Sequence, residues 1–308
     1  MTPPIASTLG GAGWRPRTLS HAAELGGPWR ACGVASQVAP LREVLLSMPG
    51  PEMAFVEDPD AWLMMERPDA ARFAAQAEGL ARAYEAEGVV VHRVRPEPAR
   101  PNHVFACDLF WMTPEGAVLA RMASEQRAGG ERALAACLAR LGVPILLTPR
   151  GKACFEGADA AWLDARTVVI GLGLRTNREA VAQIDTLLSS MGVRTLAADI
   201  GPDFQHLLGA INWLDEDLVV ALGPQTPALL DALAGREVVE LPRDEETVDR
   251  RGMNFVTLGP RRVLMPSGCS RTRERLERLG VQCVEAEVTE YIKAAGAIGC
   301  ATGVLWRG

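Results

Sequence analysis

The chain has 308 residues, 48% of them hydrophobic and 23% charged, which is enough apolar material for one large domain or two ordinary ones. Its 32 basic and 38 acidic residues leave a net charge of −6 with no block of like charges, which argues against a nucleic-acid or anionic-membrane partner. No apolar stretch approaches the ~20 residues of a membrane span, no secretory signal pattern is present, and seven scattered cysteines without CxxC pairing read as thiols of a soluble cytoplasmic protein.

Residues 1–39 carry Gly10-Gly11, Gly26-Gly27 and prolines without apolar periodicity. They read as an N-terminal arm or lid, with a disordered tail as the alternative. Residues 40–308 read as a single domain built from a repeat. Amphipathic helical stretches end on Gly88, Gly142, Gly192, Gly235 and Gly280, and each glycine feeds a short β-rich run: 89–94, 143–147, 193–196, 237–241 and 281–284. The physics is a left-handed cap that ends a helix and turns the chain into a strand. Ahead of the later helices lie pairs of apolar runs split by turns: 109–112 with 117–121, 161–163 with 167–171, 210–214 with 218–222, and 255–258 with 262–265. These are expected to be hairpins, so that each unit reads hairpin, helix, strand. One helix and three strands cannot bury their apolar faces alone, and five such units are expected to close on one another as an α/β propeller-like ring. A doubly wound sheet would place single strands, not hairpins, between its helices.

The ends of the first strands carry the polar groups. Asp108 precedes Leu109 to Met112, and Glu156 and Asp159 flank Gly157-Ala158 ahead of Ala160. His206 opens the fourth hairpin, and Cys300 lies in the small-residue run Gly299-Cys300-Ala301-Thr302. If equivalent ends of five units point inward, a thiol, an imidazole and several carboxylates converge on one cavity. Such a set suits covalent catalysis at a cationic carbon: carboxylates hold the cation, the thiolate attacks and the imidazole moves protons. The alternative is that Cys300 is a small buried hydrophobe and the carboxylates cap turns. Of the other histidines, His92 reads as a strand residue, His103 as a loop residue, and His21 belongs to the arm.

The ordered set Leu41-Arg42-Glu43-Val44-Leu45-Leu46, Phe105-Ala106-Cys107-Asp108, Arg127 with Glu131, Phe155-Glu156-Gly157-Ala158-Asp159, Arg175-Thr176-Asn177, His206-Leu207 and Gly299-Cys300-Ala301-Thr302 resembles the guanidino-group modifying enzymes, the penteins. The resemblance covers nearly everything from about residue 40 to residue 300. It implies a five-bladed ββαβ propeller of pseudo-fivefold symmetry and the chemistry of dimethylarginine dimethylaminohydrolases, arginine deiminases or amidinotransferases. It further implies Cys300 as nucleophile, His206 as general acid and base, Glu156 as the partner of that histidine, and Asp108 as the carboxylate that holds the guanidinium. Arg127 and Arg175 match arginines that grip a substrate carboxylate, and Asp159 and Asn254 take supporting places. The implied partner is a small arginine-like guanidino substrate, no metal or organic cofactor is required, and relatives of this kind are often homodimers. One departure bears on specificity. Deiminases and many amidinotransferases carry an Asp two positions after the histidine, where this chain has Leu208, and an apolar group there favours a substituted guanidine nitrogen and hence a dimethylarginine-hydrolase-like enzyme. Non-catalytic penteins are the competing class, and the joint presence of Cys300, His206, Glu156 and Asp108 argues against it.

Overall fold

A computed structural model describes residues 4–308. The five expected units are five three-stranded sheets. The first is built on β1 (Leu41–Ser47), which runs through α1 (Ala70–Ala86) to its parallel neighbour β2 (Val90–Val94). The second follows α2 (Ala106–Leu109) with the hairpin β3 (Phe110–Thr113) and β4 (Gly116–Leu119), then α3 (Gly130–Arg140) and β5 (Ile145–Leu147). In the third, β6 (Ala160–Asp164) and β7 (Thr167–Leu172) lead through α4 (Arg178–Ser190) to β8 (Arg194–Asp199). The fourth comprises α5 (Leu207–Ala210), β9 (Ile211–Trp213), β10 (Leu218–Leu222), α6 (Pro227–Ala232) and β11 (Glu237–Leu241). After α7 (Glu245–Val248), the fifth has β12 (Val256–Gly259), β13 (Arg262–Pro266), α8 (Ser270–Arg278) and β14 (Gln282–Ala286).

The first unit departs from the expected order. Its antiparallel strand is supplied by the C-terminal β15 (Thr302–Arg307), reached through α9 (Thr289–Lys293) and α10 (Ile298–Ala301), and not by a local hairpin. The two ends of the chain thus share one sheet. Each sheet touches the next, and the fifth returns to the first: β15 meets β3, a bridge joins Arg121 to Phe155, α6 packs on β8, the Arg261 amide donates to the Leu214 carbonyl at 2.7 Å, and β1 meets β12. The predicted helix-ending glycines have the left-handed φ that favours glycine, between +72° and +88° at Gly88, Gly142, Gly192, Gly235 and Gly280.

The long helices α1 and α4 pack on β2 and β8 by single apolar faces. In α1 the Asp69 carboxylate caps the N-terminus by accepting the Arg72 amide, and Phe73, Ala77, Leu80, Ala81 and Tyr84 form the buried stripe. In α4 Asn177 does the same for the Ala180 amide, above Ala180, Ile184 and Leu188. Of the arm, residues 30–34 are stitched to the second sheet and to β15 by the Arg30, Gly33 and Val34 amides, which donate to the carbonyls of Gly142, Leu305 and Thr113. Residues 1–3 lie outside the described residues. Among the described residues no helix is long and apolar enough to cross a membrane.

Phe73 is fully buried and meets Tyr291 edge-on at 4.5 Å between ring centres, tying α1 to the segment that delivers α10. Phe73→Ala is expected to cost about 3–5 kcal/mol, read as a lowered urea midpoint with an unchanged slope.

Candidate active site

Four of the polar residues singled out from sequence occupy equivalent places, in the short turn that precedes the first strand of a hairpin or the C-terminal β15. Asp108 is in α2 before β3, Glu156 precedes the 3-10 turn Gly157–Asp159 before β6, His206 precedes α5, and Cys300 is in α10 before β15. The fifth sheet contributes Asn254, just ahead of β12. His206 thus stands at the N-terminal end of a one-turn helix and not at the start of a strand. Tight backbone approach brings these turns together. A Cβ on Gly157 would lie 2.2 Å from the Phe110 carbonyl oxygen and 2.4 Å from that of Cys107, so only glycine lets the third turn approach the second. A Cβ on Gly296 would lie 2.3 Å from the Phe105 ring, which brings the loop before α10 against the same turn.

The centre of the constellation is Glu156, fully buried. Its Oε2 accepts from His206 Nε2 at 2.8 Å and from Arg127 Nη1 at 3.2 Å, while Oε1 accepts from Arg175 Nη1 at 3.2 Å. Arg127 Nη1 also donates to Asp108 Oδ2 at 2.8 Å, and His206 Nδ1 lies 3.9 Å from Asp108 Oδ1. Asp159 accepts from Thr176 Oγ1 at 2.7 Å and from the Leu207 amide at 2.9 Å, which fixes the turn carrying His206. Cys300 is held at two points by Asn254, whose Nδ2 donates to Sγ at 3.2 Å and whose Oδ1 accepts the Cys300 amide at 3.2 Å. Asp108, Arg127, Arg175, His206 and Cys300 line one cavity. By distance alone Asp108, Glu156 and His206, with ligand atoms within 4.8 Å of one another, match a metal triad, but Arg127 Nη1 already bridges the two carboxylates and a cation there would face that guanidinium.

The arginine deiminase family profile matches residues 76–224. An uncharacterized protein of Aeropyrum pernix is 30% identical over 216 residues, covering 69% of this chain and 76% of that one. The N(G),N(G)-dimethylarginine dimethylaminohydrolase of Streptomyces coelicolor is 26% identical over 265 residues, covering 85% of this chain and 96% of that one. Among solved structures, the dimethylarginine dimethylaminohydrolase of Pseudomonas aeruginosa complexed with citrulline superposes with a TM-score of 0.71 at 21% identity, over 87% of this chain and 100% of that one. This chain belongs to the guanidino-group modifying enzymes, the pentein superfamily. An amidinotransferase of the saxitoxin pathway from Microseira wollei shares the pentein fold, with a TM-score of 0.71 at 16% identity over 91% of this chain and 97% of that one. Penteins among these relatives are amidine hydrolases or amidinotransferases.

Charge distribution in this pentein follows from the contacts. Burial alone would raise the Glu156 carboxyl, but the hydrogen bond and charge of His206, with Arg127 and Arg175 beside it, hold it down to about 2. Burial works against the His206 imidazolium, but Asp108, Asp159 and Glu156 around it push it up to about 9, so it is protonated at neutral pH. Burial raises Asp159 to about 6. The Cys300 thiol is pushed up by burial and by the Asp108 charge, against the opposing pull of Asn254 and Arg251. Two positions at the site had carried no signal in the sequence. Leu63, held at φ 57°, lines the cavity from the loop between β1 and α1, and Arg251, held at φ 56°, lines its extension beyond Cys300. Neither stands in a motif, because both reach the site from loops whose path is set by packing.

A histidine whose folded pKa lies above its ordinary value of about 6.5 stabilises the fold fully below that value, and the contribution is lost as pH rises through the folded pKa. Stability is therefore expected to fall between about pH 6.5 and about 9 through His206. His206→Gln should flatten that part of the curve, as read by urea midpoints measured across the range.

Proposed function

We propose that this protein hydrolyses a substituted, arginine-like guanidine through Cys300, in the manner of a dimethylarginine dimethylaminohydrolase, to give a ureido product and an amine. One observation carries the reading. On the wall of the cavity shared with Cys300 and His206, Asp108 Oδ1 and the Nε and Nη2 atoms of Arg127 are buried without hydrogen-bond partners among the described residues. Unpaired buried polar atoms are costly, and these are an acceptor and two donors: one answers a guanidinium N–H, the others a carboxylate. An arginine-like molecule carries both groups.

In this mechanism the guanidinium rests on Asp108 and its amino-acid carboxylate on Arg127, with Arg175 beside it as the second arm of the clamp. As the guanidinium settles on Asp108 the Cys300 thiol gives up its proton to solvent, and the thiolate Sγ attacks the central carbon, forming a C–S bond. The His206 imidazolium, oriented by Glu156, gives its proton to the leaving nitrogen as the C–N bond breaks and the amine departs. His206, now neutral, takes a proton from water as its oxygen adds to the amidino carbon. The C–S bond then breaks, releasing the ureido product and returning the thiolate. Asp159 acts through the Leu207 amide as a positioning residue. Leu208 lines the cavity on the leaving-group side, where an alkyl substituent on nitrogen meets an apolar surface. A second reading, transfer of the amidino group to an acceptor amine, is favoured by the cavity continuing past Cys300 toward Phe204 and Arg243, which leaves space for a second molecule.

Mass spectrometry of incubations with arginine and its mono- and dimethylated forms, with and without glycine, tests both readings. Citrulline and free methylamine or dimethylamine formed without acceptor support hydrolysis. Product that appears only with glycine supports transfer, and no product under any condition sinks both. Cys300→Ser is expected to reduce turnover by at least about 10³-fold. Asp108→Asn should lower kcat/KM by on the order of 10²-fold, the equivalent of one charged hydrogen bond of about 3 kcal/mol.

A further inference from the structure

Two lobes meet at Cys300 and His206. The smaller holds Asp108, Arg127 and Arg175. The larger opens between the fourth and fifth sheets, and its charged groups differ in kind: three guanidinium groups, Arg243, Arg251 and Arg307, stand against a single carboxylate, the exposed Asp203. None of the three arginines forms an ion pair among the described residues. Arg307 is spent on the Ala39 and Thr257 carbonyls at the inner end. Arg243 lies over the Phe204 ring at 5.2 Å, with its guanidinium otherwise free. Arg251 makes only a 3.4 Å contact from Nη2 to Met65 Sδ, its Nε is buried without a partner, and its backbone is held in the left-handed region, where a bulky residue is strained. Two under-used guanidinium groups thus flank the side of Cys300 opposite the Asp108 lobe, with the apolar Leu208, Leu222 and Val248 beside them.

Resting on the hydrolase reading above, we propose that the larger lobe is a carboxylate subsite for the leaving amine, with Arg243 and Arg251 as its anion-binding groups. The preferred substrate is then an arginine-like guanidine whose second terminal nitrogen carries a carboxyalkyl group: methylenes against Leu208 and Leu222, carboxylate on the two arginines. The step balances as before. The C–S bond forms at Cys300, the C–N bond to the carboxyalkylamine breaks with a proton from His206, and water supplies the oxygen of the ureido product, so that an amino acid leaves in place of dimethylamine. A doubly acidic guanidine of this kind would be supplied by reactions that join an arginine side chain to a carboxylated carbon.

The test is calorimetric binding to the full-length Cys300→Ser protein, comparing Nω-carboxymethyl-L-arginine with Nω-propyl-L-arginine, whose substituent carries no charge. Tighter binding of the carboxymethyl compound by at least tenfold is expected. Arg243→Gln and Arg251→Gln, each added to that background, should cut this ratio at least fivefold, whereas Arg175→Gln should weaken both ligands alike and leave the ratio standing. Equal affinity for the two ligands, or a ratio lost in Arg175→Gln and kept in both other variants, overturns the assignment. Binding does not depend on turnover. Preference for the carboxymethyl compound without citrulline formation by the unsubstituted protein would therefore uphold the subsite while defeating the hydrolase reading.

Discussion

A single buried carboxylate organises this molecule's centre. Glu156 is removed from solvent and surrounded by three cationic side chains, His206, Arg127 and Arg175, at 2.8, 3.2 and 3.2 Å. Stripping a carboxylate of water costs several kcal/mol, and only close, well-directed partners offset it. Here the offset comes from three sheets. His206 arrives from the fourth, Arg127 from the loop between β4 and α3 of the second, and Arg175 from the loop after β7 of the third. The constraint runs both ways: the ring must close for the charge to be satisfied, and the satisfied charge pins three of the five sheets in register at their inner ends. Removing one cation would leave the others gathered around an under-compensated charge, so the group behaves as one unit and not as separable pairs.

The repeat explains why such a centre is attainable without long loops. Each unit ends its approach to the ring in a turn of a few residues, and one polar side chain from each turn points to the same region: Cys300, Asp108, Glu156, His206 and Asn254. Positions equivalent by pseudo-symmetry carry different chemistry on similar turns. Support for each is local. Asn254 clamps the thiol at two points, Asp159 fixes the His206 turn through a backbone amide, and Gly157 and Gly296 remove the Cβ atoms that would hold neighbouring turns apart.

Much of this was legible in the residues. Glycines that end helices force a left-handed cap, and their recurrence marked the five units; apolar pairs flanking turns marked four hairpins; and polar groups ahead of the first strands marked the residues brought to the centre. The first unit misled because its antiparallel partner lies at the other end of the chain, and nothing local to β1 reveals that β15 completes it. The arginines were harder for a different reason. Arg127 and Arg175 came only from the family resemblance, and their attachment to Glu156 is a fact of packing. Arg243 and Arg251 lie in loops with no periodicity, where only the three-dimensional path shows which surface they serve.

Asp108 couples the electrostatics of the site to the charge of a bound cation. Burial and then the negative charge of Asp108 raise the Cys300 thiol, and the same charge, working against burial, raises the His206 imidazolium. In the proposed reaction the guanidinium places a positive charge on that same carboxylate. Two effects then reverse together: the thiol loses the repulsion that kept its proton on, and the imidazolium loses part of the attraction that kept its own. The substrate's charge thus generates the thiolate and makes His206 a stronger acid toward the leaving amine, while Glu156, compensated by its two arginines, keeps the ring oriented throughout. On that proposal the Cys300 thiol ionises when a bound cation offsets the charge of Asp108.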